Sequence, residues 1–206
     1  YRAQGGDGVA RIAYGRVGAG DRALLDAYVA TLAAMSPRRL NRAEQLAYWI
    51  NLYNALTVQL VLAHYPVASI RDIDISPGLF AIGPWDKKLS VIDGQDVSLN
   101  DIEHEILRKK FKDARVHAAV NCASVSCPPL ASEAFTADKL SAQLEQQMKS
   151  FVADPTRNRI DPAKKELVVS EIFKWFAEDF ERDARDCGWD LLQLKSRYAT
   201  ASHELI

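Results

Sequence analysis

The segment His117-Ala-Ala-Val-Asn121-Cys122-Ala-Ser-Val-Ser126-Cys127-Pro128-Pro129 holds two of the chain's three cysteines and one of its four histidines. A thiolate is a strong nucleophile once an imidazole or a helix end lowers its pKa, and Cys–His pairing is the usual device for covalent attack on an amide or ester. Cys122 is therefore the candidate nucleophile and His117 its candidate base. The apolar run Arg115–Asn121 predicts a buried strand. On a strand, five residues span roughly 16 Å, and alternation sends positions 117 and 122 to opposite faces. The pair meets only if the strand ends near Val120 and the loop turns back. Cys122 and Cys127 have C-x4-C spacing, which leaves several readings open. A disulfide is feasible if the turn brings the α-carbons to about 5.5 Å. Zinc held by His117, Cys122 and Cys127 lacks a fourth ligand in this segment, so no metal is expected. Cys187, beside Gly188, reads as a buried inert thiol.

A second set of polar groups must be positioned by a helix. Asn41 with Glu44 three residues later matches a capping box, which opens a helix running to about His64 and stopped by Tyr65-Pro66. Glu44, Tyr48, Asn51 and Asn54 fall along one stripe of it. Either the stripe meets water in a cleft, or Glu44 completes the cap while the amides bond neighbouring loops. In the cleft reading Glu44 or Asn54 orients the His117 imidazole, Asn51 or Asn121 donates to an oxyanion, and Tyr48 joins them in binding substrate or oxyanion. Nineteen residues from Gln45 to Ala63 carry no formal charge, close to the length of a membrane span. Gln45, Asn51, Asn54 and Gln59 interrupt that run, so it reads as a buried central helix and no transmembrane segment is expected.

The remaining elements follow from local signals. The glycine-rich residues 1–20 predict an irregular N-terminal arm before one domain over 21–206. Asp21 caps a helix with Leu24, Leu25, Tyr28, Val29 and Leu32 on its apolar face. Lys88–Ile92, Asp93-Gly94 and Gln95–Val97 read as a hairpin with a favoured turn. Ser98 starts a helix with Leu99, Ile102, Ile106 and Phe111 on one side; in the charged cluster Asp101, Glu103, His104 and Glu105, Asp101 sits in the first turn and suits the helix dipole, while Glu103 and His104 take a solvated face. Thr136–Val152 is helical, with Leu140, Leu144, Met148 and Phe151 at core spacing. Arg157–Ile160 and Glu166–Val169 suggest a second hairpin. Ser170 caps a helix through Phe180 that buries Trp175 and Phe180, and Trp189–Tyr198 is a final helical piece. The fold class is α+β: a helix-rich single domain with a long buried central helix, one inner strand and short β-hairpins.

At 206 residues, 48% hydrophobic and 26% charged, the chain has the composition of an ordinary globular protein. A net charge of −1 and a pI near 6.5 give no reason to expect nucleic acid. Neither GxGxxG nor GxxxxGK[ST] occurs, so no cofactor is expected. The chain opens on Tyr1 rather than Met, which leaves the compartment open.

Taken together, Tyr48-Trp49-Ile50-Asn51-Leu52-Tyr53-Asn54, Asp101-Ile102-Glu103, His117 through Pro129, and Ile172-Phe173-Lys174-Trp175-Phe176 with Asp179-Phe180 resemble the family catalogued as domain of unknown function 547. The resemblance spans about residues 40–182 and looks like the bacterial two-cysteine form. It implies that Cys122, rather than Cys127, is the working thiol, since the plant pattern often replaces the second cysteine. It also implies a periplasmic or extracellular setting, and it carries no established reaction. The favoured expectation is a thiol-dependent hydrolase or acyl-transfer enzyme. The alternatives are a module binding a small-molecule, peptide or protein ligand, and a redox role for Cys122 and Cys127.

Overall fold

A computed structural model of the chain describes residues 2–4, 6, 9–78, 82–124, 126–161 and 166–186. The architecture grows from the central helix α2, Arg42–His64. Its start is local chemistry: the Asn41 side chain accepts from the N–H groups of Ala43 and Glu44, and Glu44 accepts from the Asn41 N–H at 2.7 Å. The helix is apolar on nearly every side and is buried from Leu46 through Leu62 at most positions. It is long and apolar enough to cross a membrane by length and composition, yet 78% of its most apolar stretch is buried inside the protein.

Helix α1, Ala19–Ala34, lies against α2 and is tied to it by Arg22 on the Leu62 carbonyl and Gln59 on Asp26. It begins two residues before the expected cap, so Asp21 sits in the first turn, where its charge suits the helix dipole. Of its expected apolar face Val29 and Leu32 are buried, whereas Leu24 is exposed. Ahead of it, strands β1, Arg2–Gln4, and β2, Ala10–Ile12, pair antiparallel. The lead-in expected to be irregular therefore carries a hairpin.

On another side of α2 lies the hairpin β3, Ser90–Ile92, and β4, Gln95–Val97. Asp93 and Gly94 both have positive φ, 50° and 75°, as the expected two-residue turn requires. Ser98 and Asp101 then exchange hydrogen bonds at the start of the next helix. Over Asp101–Phe111 this helix is wound as a π-helix, about 4.4 residues per turn rather than 3.6. Its buried residues, Ile102, Ile106, Leu107 and Phe111, recur at intervals of four and five, which matches that wider turn.

The run expected to be an inner strand, 115–121, is instead the helical turn α3, Val116–Ala119, with Val120 extended after it. All four helical residues are buried. A short run of mostly apolar residues without a clear period does not distinguish strand from buried helix, and here it forms the helix.

Helix α4, Leu140–Val152, buries the expected Leu140, Leu144, Met148 and Phe151. Strands β5, Arg159–Asp161, and β6, Glu166–Val168, form the expected second hairpin. The single helix expected over 170–180 is two: α5, Ile172–Trp175, and α6, Ala177–Asp186, broken at Phe176. Phe180 is in the core as expected, but Trp175 is 56% exposed. Cys187 and the helix expected at 189–198 lie outside the described residues. The fold is α+β, helix-rich, with three two-stranded antiparallel hairpins among the described residues.

Candidate functional site

The break at Phe176 turns its ring onto His117. The two rings stack with centroids 3.9 Å apart, and Phe180 lies 5.6 Å away on a tilt. His117 is 1% exposed, so a buried imidazole needs polar partners. Its Nε2 is 2.8 Å from Asp179 Oδ2, while its Nδ1 has no hydrogen-bond partner among the described residues. Asp179, itself 4% exposed, also accepts from Arg108 Nε at 2.5 Å and from Arg182 Nη1 at 2.8 Å. Burial pushes the Asp179 carboxyl up. The hydrogen bonds from His117, Arg108 and Arg182 outweigh that and hold it well below the usual carboxylate range.

The helical turn α3 leads directly into the cysteine loop, and α2 fixes the junction. Asn54 donates to the Ala119 carbonyl and accepts from the Asn121 N–H, both at 2.9 Å. Asn121 in turn accepts from the Ala123 N–H and donates to the Pro128 carbonyl at 2.6 Å. Ala123 takes a left-handed conformation, φ 59°, an uncommon choice for a residue with a Cβ. Within this loop Cys122 and Cys127 are joined by a disulfide, Cα–Cα 6.3 Å. Disulfide sulfurs are not thiolate ligands, so the zinc reading of His117, Cys122 and Cys127 does not hold in this state.

His117, Cys122 and Cys127 line one cleft of about 610 Å³. Its other walls include Tyr53 from α2, Glu103 and His104 from the π-helix, Trp85, and Trp175 with Phe176. Tyr53 is fully buried and donates to Glu103 at 2.9 Å; burial first, and the neighbouring Glu103 charge second, push its phenol well above the usual range. His104 is 3.1 Å from Arg108, whose guanidinium lies 4.9 Å from the Phe176 ring centroid. Glu103 and His104 were expected on a solvated face. The π winding brings them to the cleft as half-buried groups instead.

The polar stripe of α2 is divided. Glu44 completes the helix cap, and Tyr48 donates to the Leu32 carbonyl; neither lines this cleft. Burial, with the Asp93 charge behind it, pushes the Tyr48 phenol up to about 12. Asn51 clasps both backbone groups of Phe135, and Asn54 grips the loop backbone rather than the imidazole. The group that meets the imidazole is Asp179, 62 residues further along the chain. That residue stood in the Asp179-Phe180 motif, but no local spacing ties it to His117. Among the described residues no cluster of three or more His, Cys, Asp or Glu could hold a metal ion.

The fold and the site define a helix-rich α+β protein with a buried His–Asp pair and a cysteine pair on one cleft. The family model described as "Protein of unknown function, DUF547" matches residues 37–152, more than half of the chain, and the protein belongs to this family. The match contains His117, Cys122 and Cys127 and stops short of Asp179. No curated protein and no solved structure matches the chain.

Proposed function

We propose that the cleft is the active site of a thiol-dependent hydrolase or acyl-transfer enzyme acting on an amide or ester. One observation carries the reading: a buried imidazole, held through Nε2 by a carboxylate and with Nδ1 unpartnered among the described residues, shares a cleft with Cys122. Such a pairing fixes which ring nitrogen is left for chemistry. In the reduced enzyme Nδ1 takes the Cys122 thiol proton, and Asp179 stabilises the imidazolium through Nε2. The thiolate bonds to the substrate carbonyl carbon. The amine or alcohol leaves with the proton from His117, and water or a second nucleophile then releases the acyl group from sulfur. Asn121, whose amide carries a second N–H beyond the one bound to Pro128, is the proposed oxyanion donor. The Cys122–Cys127 disulfide is then the oxidised resting form, opened by a thiol or phosphine reductant.

The disulfide also favours a second reading, thiol–disulfide exchange. An incoming thiolate would bond to Sγ of the half-buried Cys122 and release the 2% exposed Cys127 as thiolate. One experiment separates the two. The protein is reduced with a phosphine, alkylated with iodoacetamide at graded pH and mapped by mass spectrometry, with p-nitrophenyl ester turnover followed in parallel. The hydrolase reading expects Cys122 to react with a pKa well below the ordinary value of about 8.5, and His117→Ala to restore it. An ordinary Cys122 pKa, or ester turnover that survives Cys122→Ser, overturns it.

A further inference from the structure

We propose that the substrate is an unfolded polypeptide segment that runs across two adjoining cavities, with the Cys122 loop at their junction; this rests on the thiol-acyl chemistry proposed above. Beside the cleft of about 610 Å³ lies a second cavity of about 590 Å³. The two share Ala68, Ser69 and Ile70 on one segment and Ala123 and Ser124 on another. What separates them is thus a waist of shared residues. The chain order at that waist matters. Asn121 lines the second cavity, Cys122 lines the first, and the next two residues line both. A carbonyl group placed over Cys122 therefore has bound space on each side of it.

Each cavity alone has the size of a small-ligand pocket. A small ester or amide fills one and leaves the other without a role, whereas a chain continuing past both sides of the scissile bond uses both. The walls suit polypeptide in particular. The first cavity offers aromatic surface from Trp85 and Trp175, and the second offers Tyr14 and Tyr65 with the polar Ser132 at its rim. An extended peptide sends successive side chains to opposite sides and keeps its backbone amides free to hydrogen-bond along the waist. The enzyme then cuts within chains rather than trimming ends.

The test uses fluorescein-labelled, reduced and carboxymethylated casein as the unfolded polypeptide and p-nitrophenyl acetate as the small ester. Ser132 is exposed, so Ser132→Trp partly fills the second cavity without removing core; Val67→Phe narrows the same cavity from a different segment. In a Cys122→Ala background, casein binding followed by fluorescence polarisation is expected to weaken at least tenfold with either substitution. In the reduced active protein the ratio of casein cleavage to ester turnover is expected to fall by a similar factor. Unchanged binding in both variants, or ester turnover by a protein that does not bind casein, overturns the groove. Casein binding that responds to the variants, in a protein that cleaves neither probe, keeps the groove and removes the thiol chemistry.

Discussion

Replacing Asp179 by Asn keeps the shape of the side chain and removes the one charge that three donors share. Its own side chain is 6% exposed and that of His117 is fully buried, while Arg108 and Arg182 are about a quarter exposed at 24% and 26%. Hydrogen bonds to a charged partner contribute about 1.5–3 kcal/mol each. Asn keeps one acceptor oxygen, and the two arginines recover some hydration, so a net loss of about 3 kcal/mol is expected at pH 7. For a chain of this size that corresponds to a fall of roughly 6–12 °C in Tm. The pH dependence follows from the lowered pKa. A carboxyl whose folded pKa lies below its unfolded value of about 3.9 stabilises fully above that value, and the contribution disappears as pH falls toward the folded pKa. Each pH unit in that window removes about 1.4 kcal/mol, so roughly 2 kcal/mol of the difference should vanish by about pH 2.5. Urea unfolding of wild type and Asp179→Asn at pH 7 and at pH 2.5, followed by circular dichroism, measures both quantities. A difference below about 0.5 kcal/mol at neutral pH, or one unchanged by acid, would refute the assignment of Asp179 as the ionised hub.

Asn54→Ala leaves the Ala119 carbonyl and the Asn121 N–H without their partner, and should cost about 2–4 kcal/mol in chemical denaturation. Asn41→Ala removes the capping box of α2 and should cost about 1 kcal/mol by the same measurement. Gly83→Ala should lower stability by about 1–3 kcal/mol, because φ is +76° there and a Cβ would lie 2.3 Å from the Trp85 ring; a shift in tryptophan emission should accompany it. Reduction of the Cys122–Cys127 bridge should lower Tm by only roughly 4–8 °C, since closing so short a loop contributes about 2 kcal/mol in the chain-entropy account. Calorimetry with and without a phosphine reductant checks this, and unfolding on reduction would contradict it.

What could be read in the sequence was what neighbours in the chain decide. The capping box of Asn41 and Glu44 and the Asp93-Gly94 turn are three- and two-residue events, and both occur where expected. The segment 115–121 folds as a helical turn because Val116, Ala118, Ala119 and Val120 are apolar without period, so strand alternation does not separate His117 from Cys122. The π-helix escaped for a related reason. Scored at 3.6 residues per turn, Glu103 and His104 fall off the apolar stripe; at 4.4, the stripe is Ile102, Ile106, Leu107 and Phe111, and those polar groups border the cleft. The His117–Asp179 pair joins residues 62 apart, and no local pattern encodes such a contact.

Asn54 of α2 acts on the site through backbone rather than by touching a reacting group. Asn54 fixes the exit of α3, and Asn121 bridges from that exit to Pro128 beyond the second cysteine. Ser170 holds the Ser126 carbonyl and Arg157 holds the Cys127 carbonyl from the far side. The loop is therefore closed by hydrogen bonds that do not pass through sulfur. Opening a bond worth about 2 kcal/mol against several such contacts, each about 1 kcal/mol or more, leaves the loop in place. A sulfur released by reduction would thus remain on a prearranged wall of the cleft that also carries His117, and covalent state and site geometry become separable variables.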